Sequence, residues 1–231
     1  MKTGDLPPVL AIDGPSGSGK GTISRLVAGK LGWHMLDSGA LYRLLAHAAA
    51  LKGIAVSEAE QLGQLARTLK VSFEQTPAGE ERIVLDGSDV TRVVRSEECG
   101  ARASELAVLP AVREGLQALQ RGFRQAPGLV ADGRDMGTAI FPDAALKIFL
   151  TATAAERAQR RYNQLKQKGF DANLHALLRD ITARDERDQN RSVSPLRPAA
   201  DAVQVDTTGR SIQEVVEEVM SLARQRFRET H

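Results

Sequence analysis

Apolar residues recur along the chain in two rhythms, short unbroken runs and stripes three to four residues apart. Val9 to Asp13 is an apolar run closed by Asp13-Gly14, which predicts a buried strand feeding a tight turn. From Lys20 to Leu31 the apolar residues Ile23, Leu26, Val27 and Leu31 share one helical face. A short strand before Asp37 leads into a helix from Ala40 to Leu51, with Leu41, Leu44, Leu45 and Ala48 on one side. Ser57-Glu58-Ala59-Glu60 has the form of a capping box opening a further helix. Val71-Ser72-Phe73, a turn at Pro77-Ala78-Gly79 and Ile83-Val84-Leu85 predict a small β-hairpin within residues 70–95. Helices are expected from Ser96 to Leu106 and from Pro110 to Phe123.

The remaining runs predict strands at Leu129–Asp132, Leu146–Leu150 and Ala202–Val205. Between and after them lie charged helices from Ala154 to Lys168 and Leu174 to Gln189, and an amphipathic one from Ser211 to Arg226. Short apolar strands alternating with helices indicate an α/β fold with a central parallel sheet flanked by helices. The chain divides in expectation into a core (1–69, 107–153 and 198–231), an insert (70–106) and an arginine-rich segment (154–197).

Composition narrows the class. The 231 residues suit one core domain with insertions, and aromatics, at 4%, leave the core to aliphatic side chains. A net charge of +2 is too small for a nucleic-acid coat. The single cysteine, Cys99, excludes an intrachain disulfide and fits a reducing cytoplasm. The first residues do not read as a signal peptide, and no apolar stretch approaches the roughly 20 residues of a membrane span. The expectation is a cytoplasmic monomer with no membrane or nucleic-acid partner.

Chemistry enters at GPSGSGKGT, which runs Gly14-Pro15-Ser16-Gly17-Ser18-Gly19-Lys20-Gly21-Thr22. Glycines there let the backbone wrap closely around phosphate oxygens, and the helix start faces the anion. Lys20 adds charge for the terminal phosphates. A predicted strand before and a helix after make this a P-loop, a site for ATP as phosphoryl donor. The usual pattern places Ser or Thr directly after the lysine, to meet Mg²⁺. Here Gly21 stands there and Thr22 follows one place later. Mg²⁺ is therefore expected to be held mainly through phosphates and water. The GKGT ending resembles nucleoside monophosphate kinases of the adenylate kinase type.

Three further segments bear on the acceptor. Asp37-Ser38-Gly39-Ala40-Leu41-Tyr42-Arg43 opens a helix whose end suits an anion, or is an ordinary cap with a surface arginine. Asp132-Gly133-Arg134-Asp135 stands at a strand's carboxyl end, where open α/β sheets bind ligands, or is a polar turn with a local ion pair. Arg184, Asp188 and Arg191 fall at i, i+4 and i+7, which reads as a binding stripe or as a solvated ion-paired face.

Together DSGALYR, DGRDMGT, RDERDQNRSVSPL and GPSGSGKGT resemble the bacterial cytidylate kinase family, in unbroken order through essentially the whole chain. The resemblance implies a P-loop NTPase fold whose insert binds a monophosphate and whose residues 154–197 form a helical lid. It implies transfer of a phosphoryl group from ATP to CMP or dCMP, small nucleotides being the only partners. Arg43, Arg134 and Arg191 would clamp the CMP phosphate, with Asp37, Ser38, Tyr42 and Gly133 nearby. Ser104, Arg113 and Asp135 would face cytosine, and Arg184 and Asp188 the sugar hydroxyls. Arg157 and Arg161 would cover the transferring group, with Lys20, Arg134 and Arg191 also in the catalytic set.

These assignments have physical sense. Arginine's planar fork matches phosphate. A carboxylate accepts from the exocyclic amine of cytosine and is left unpaired against uracil. The nearest rival is a kinase for UMP, AMP or dTMP. A GTP switch would need an Asn-Lys-x-Asp string, which is missing. A nucleic-acid-dependent ATPase would want an aromatic-rich basic groove. A phosphate acceptor, mostly ionised near neutral pH, requires no strong general base. His34, His47, His175 and His231 accordingly form no constellation.

Overall fold

The computed structural model describes residues 6–75, 81–167 and 169–228. In chain order its elements begin β1 (Val9–Asp13), α1 (Lys20–Leu31), β2 (His34–Asp37), α2 (Ser38–Leu51) and α3 (Ala59–Arg67). There follow β3 (Val71–Gln75), β4 (Glu81–Leu85), β5 (Ser88–Asp89), α4 (Thr91–Val94), α5 (Glu97–Leu106) and α6 (Pro110–Gly122). The remainder is β6 (Leu129–Gly133), a π-helical turn (Met136–Ile140), β7 (Leu146–Thr151), α7 (Ala154–Gln167), α8 (Leu174–Gln189), β8 (Val203–Asp206) and α9 (Ile212–Arg228).

The chain forms two compact units, Met1–Asp37 with Gly122–His231, and Ser38–Arg121. The first holds a five-stranded sheet in the order β2-β6-β1-β7-β8. Every neighbouring pair in it is parallel. Parallel neighbours cannot be joined by hairpins, so each connection is a crossover. The chain leaves β1 towards β2 on one side, and leaves β6 towards β7 on the other. The crevice where such connections part lies beyond the carboxyl ends of β1 and β6, and ligands settle there in sheets of this kind.

The core of this unit is aliphatic, as the scarcity of aromatics requires. Leu10, Ile12, Val130, Ile148 and Leu150 of the sheet meet Ile23, Val27 and Ala28 of α1 and Val215, Val216, Val219 and Ala223 of α9. Leu26, expected on the buried face of α1, is 41% exposed, and Ala28 is buried instead, so the buried stripe is turned from the expected one. Trp33 and Phe227 close one end edge to face, 4.7 Å between centroids. Gly14 lies at φ +148°, and a Cβ there would stand 2.2 Å from the Leu150 carbonyl oxygen. The phosphate-loop segment thus crosses β7 too closely for any side chain.

The second unit takes in residues 38–121, more than the 70–106 stretch set apart on sequence. Its centre is α2, buried on nearly every side through Leu41, Leu44, Leu45, Ala48 and Ala49. The antiparallel strands β3, β4 and β5 form its small sheet. The turn expected at Pro77-Ala78-Gly79 lies outside the described residues, as does Lys168.

Two local expectations need correction. Glu58, not Ser57, precedes α3, and no side chain caps the N-terminus of that helix. The Glu58 Oε2 instead accepts the Ala55 N–H at 2.7 Å, bracing the turn before the helix. Arg191 lies past the end of α8, where Asn190 is the cap, so the stripe with Arg184 and Asp188 is not continuous helix. Among the described residues no helix is long and apolar enough to cross a membrane.

Gly14→Ala should lower the unfolding free energy by about 3 kcal/mol or more, since neither φ nor the Leu150 carbonyl can yield cheaply. Urea denaturation measures this, and a loss within about 0.5 kcal/mol would refute the close approach.

Candidate active site

The loop from Gly14 to Thr22 leaves β1 and enters α1 through Gly19, which has φ 91° and so takes a conformation that L side chains resist. Its carbonyls are gripped from outside. Arg157 Nη1 donates to the Ser16 carbonyl at 3.0 Å, and Thr207 Oγ1 donates to the Ser18 carbonyl at 3.2 Å. Lys20 is buried, its Nζ donating to the Pro15 carbonyl at 2.7 Å. Ser18 is buried as well, whereas Thr22 is exposed.

Acidic residues crowd the ends of the central strands. Asp13 and Asp132 are both buried, and Asp37 lies in register with Asp132 on the neighbouring strand. Burial pushes the Asp132 carboxyl up to about 7, with the Asp37 and Asp13 carboxylates adding to it and Lys20 and Arg134 opposing. Burial likewise raises Asp13 to about 6, against the two backbone N–H groups it accepts. Burial lowers Lys20 to about 7; the Arg134 charge pushes the same way, and Asp132 opposes. Gly21 borders this group, for a Cβ there would lie 3.5 Å from Asp132 Oδ2.

A second constellation is built on Asp188, itself buried. Its Oδ2 accepts from Arg134 Nε at 3.1 Å, and its Oδ1 accepts from Arg191 Nη2. Burial alone would raise its carboxyl, but the charges of Arg134, Arg191 and Arg184 outweigh that and hold it below the usual range. Arg134 thus meets Asp188 and Arg191 of a distant segment, with one difference from what the sequence implied. Asp188, implied for the sugar hydroxyls, has an arginine on each oxygen.

Arg157 also differs from an arginine that covers a ligand. It is buried, bonded to the Ala152 and Ser16 carbonyls and paired through both terminal nitrogens with Asp185. It locks α7 to α8 and to the loop. Arg161 is half-buried, with Nη1 donating to Gln164 at 3.2 Å.

In the second unit Arg43 Nη1 donates to the Val94 and Ser96 carbonyls at 2.9 and 2.7 Å. Gly100 makes room for it, since a Cβ would fall 2.5 Å from Arg43 Nη2. Ser38 Oγ donates to the buried Gln120 Oε1 at 2.9 Å. The Arg113 guanidinium lies 5.9 Å from the Tyr42 ring centroid, and its Nη1 donates to the Ala107 carbonyl at 3.0 Å. Ser104 is buried, and among the described residues its hydroxyl has no hydrogen-bond partner. Asp135, at the head of the π-helical turn, is buried in the first unit.

Sequence reasoning did not single out Asp13, Asp185 or Gln120. Only Asp13 carried a usable signal, as a carboxylate at the carboxyl end of a central strand.

The chain matches the family model described as cytidylate kinase over residues 10–225. A cytidylate kinase of Pseudomonas savastanoi pv. phaseolicola is 60% identical over 215 residues, covering 93% of this chain and 94% of that protein. One from Stutzerimonas stutzeri is 58% identical with the same coverage, 93% and 94%. Among solved structures, a gluconokinase from Sinorhizobium meliloti superposes with a TM-score of 0.50 at 15% identity, covering 98% of this chain and 99% of that one. That likeness concerns the fold alone.

The acidic cluster predicts how stability varies with pH. Asp13 and Asp132 titrate higher folded than unfolded, so between about pH 4 and about pH 7 the folded chain holds more protons and loses stability as pH rises. Lys20 titrates lower folded than unfolded, so above about pH 7 the unfolded chain holds more protons and stability recovers. Without nucleotide, Tm should therefore fall from about pH 5 to about pH 7, and Asp132→Asn should remove much of that fall. A flat or rising wild-type profile over this window contradicts the raised carboxyls.

Proposed function

Since the chain belongs to the cytidylate kinase family and transfers the γ-phosphoryl group of ATP to CMP or dCMP, we propose a role for each part of the site. The observation that carries the scheme is a phosphate loop with a buried lysine in the same unit as two arginines anchored on one aspartate. Phosphoryl transfer between two nucleotides needs one cradle for the donor phosphates and one for the acceptor phosphate.

Gly14 to Thr22 hold ATP. Its phosphate oxygens replace the Pro15 carbonyl at Lys20 Nζ and restore the full charge of the ammonium. Arg134 and Arg191 of the first unit take the CMP phosphate. Asp188 orients the first two, which reduces the entropy lost when they bind. The aligned CMP oxygen forms the new bond to the γ-phosphorus while the bond to the β–γ bridging oxygen breaks, leaving ADP. A mostly ionised acceptor needs no protein base. Arg184 and Arg161 add positive charge around the transferring group.

In the first unit Asp135 reads the base, with Asp37 and Gly133 as further acceptor residues; in the second unit Ser104 and Arg113, with Ser38 and Tyr42, are nucleotide ligands. The unpartnered Ser104 hydroxyl supports its part in this, because a buried hydroxyl left without a bond is costly until a ligand supplies one. Residues 154–197 act as a lid whose base Arg157 fixes.

Mg²⁺ fits the site. The donors are carboxylate oxygens, and the missing side chain at Gly21 leaves space beside Asp132. Asp132 would hold the ion together with ATP phosphates and water. Bound there, it would supply positive charge that offsets the negative charge of the phosphates. Asp132, partly protonated near neutral pH in the free chain, would then stay ionised.

Two variants test these roles. Lys20→Met should lower kcat by at least about a hundredfold with CMP binding largely kept; near-normal turnover removes Lys20 from the donor site. Asp135→Asn should lower the CMP-to-UMP ratio of kcat/KM by roughly tenfold or more. An unchanged ratio removes Asp135 from base recognition.

A further inference from the structure

Asp13 ends β1 one residue before the phosphate loop, yet its hydrogen bonds go elsewhere. Its Oδ1 accepts the Met136 N–H and its Oδ2 the Gly137 N–H, each at 2.8 Å. These are the first two residues of the π-helical turn. N–H groups at the start of a helical turn have no partner within it, and here a carboxylate from another strand supplies one. The turn then closes on Asp135, whose carbonyl accepts from Ala139 at 2.9 Å and Ile140 at 3.2 Å.

The residue type matters. A carboxylate presents two acceptor oxygens to two neighbouring donors, whereas an amide presents one acceptor and one opposing N–H. Nearby packing leaves the turn little freedom to adjust otherwise. A Cβ at Gly133 would meet Met136 Cε at 2.7 Å, and one at Gly137 would meet Lys147 Cδ at 3.1 Å.

We propose that Asp13 is a positioning residue for base recognition: by gripping the amides of Met136 and Gly137 it sets the Asp135 carboxylate where cytosine is read. The same residue leads directly into Gly14, so one side chain ties the acceptor's base reader to the strand that launches the donor loop. This rests on the reading of Asp135 as the base reader.

The test is steady-state kinetics of Asp13→Asn, with CMP and UMP varied at saturating ATP and with ATP varied at saturating CMP. The CMP-to-UMP ratio of kcat/KM should fall by about tenfold, and KM for CMP should rise at least about fivefold, while KM for ATP changes less than about twofold. A merely structural role would lower Tm and leave that ratio in place, which overturns the proposal. An equal rise in both KM values also overturns it, because Asp13 would then act on the loop. Asp135→Asn, run in parallel, separates the two ideas. If it shifts the ratio and Asp13→Asn does not, only the Asp13 proposal fails; if it does not, the base-reader assignment fails and takes this proposal with it. Should Asp13→Asn not fold, Asp13→Ser, with a single acceptor oxygen, is read in the same way.

Discussion

A buried cluster of charge at the carboxyl ends of β1 and β6 governs much of the first unit. Asp13, Asp132 and Lys20 are all buried there, and burying a charge costs several kcal/mol unless partners offset it. The offsets differ by residue. Asp13 has two backbone N–H groups, Lys20 a loop carbonyl, and Asp132 the fields of Lys20 and Arg134. None of these matches full hydration, which is why all three groups titrate nearer neutrality than they do in water. A highly charged ligand would balance the cluster, so stability is given up at the place proposed for the donor phosphates.

Around this cluster the fold turns interior polar contacts into fixed geometry. Thr207, at the end of β8, donates to the Ser18 carbonyl, and Arg157, on α7, donates to the Ser16 carbonyl. Each holds the loop from outside, which favours amides turned inward towards an anion. Asp188 performs a comparable task for Arg134 and Arg191, whose like charges would otherwise repel. In both places one side chain fixes the geometry of its neighbours at the proposed site.

Much of this was legible in the sequence because strands and phosphate loops leave strong local marks. Val9–Asp13 and Leu174–Gln189 match the expected bounds, and the glycines from Gly14 to Gly19 read as a phosphate loop because a predicted strand precedes them and a predicted helix follows. The rest depends on partners distant in the chain. Nothing near Arg157 reveals that Asp185 will occupy it, and nothing near Asp13 reveals the amides of Met136 and Gly137. The π-helical turn left no signature either, since one i→i+5 turn is too short to set up a period. The failed capping box at Ser57 shows the reverse case, a correct local pattern overruled by the turn at Ala55 that recruits Glu58.

Coupled ADP release, followed with CMP, dCMP, UMP, AMP and dTMP in turn, tests most directly whether this loop serves a cytosine-reading acceptor site. CMP and dCMP should be turned over with the highest kcat/KM, and UMP at least roughly tenfold less efficiently, because uracil offers a carbonyl where the base reader proposed at Asp135 takes an amine. Turnover of AMP or dTMP equal to that of CMP would contradict it.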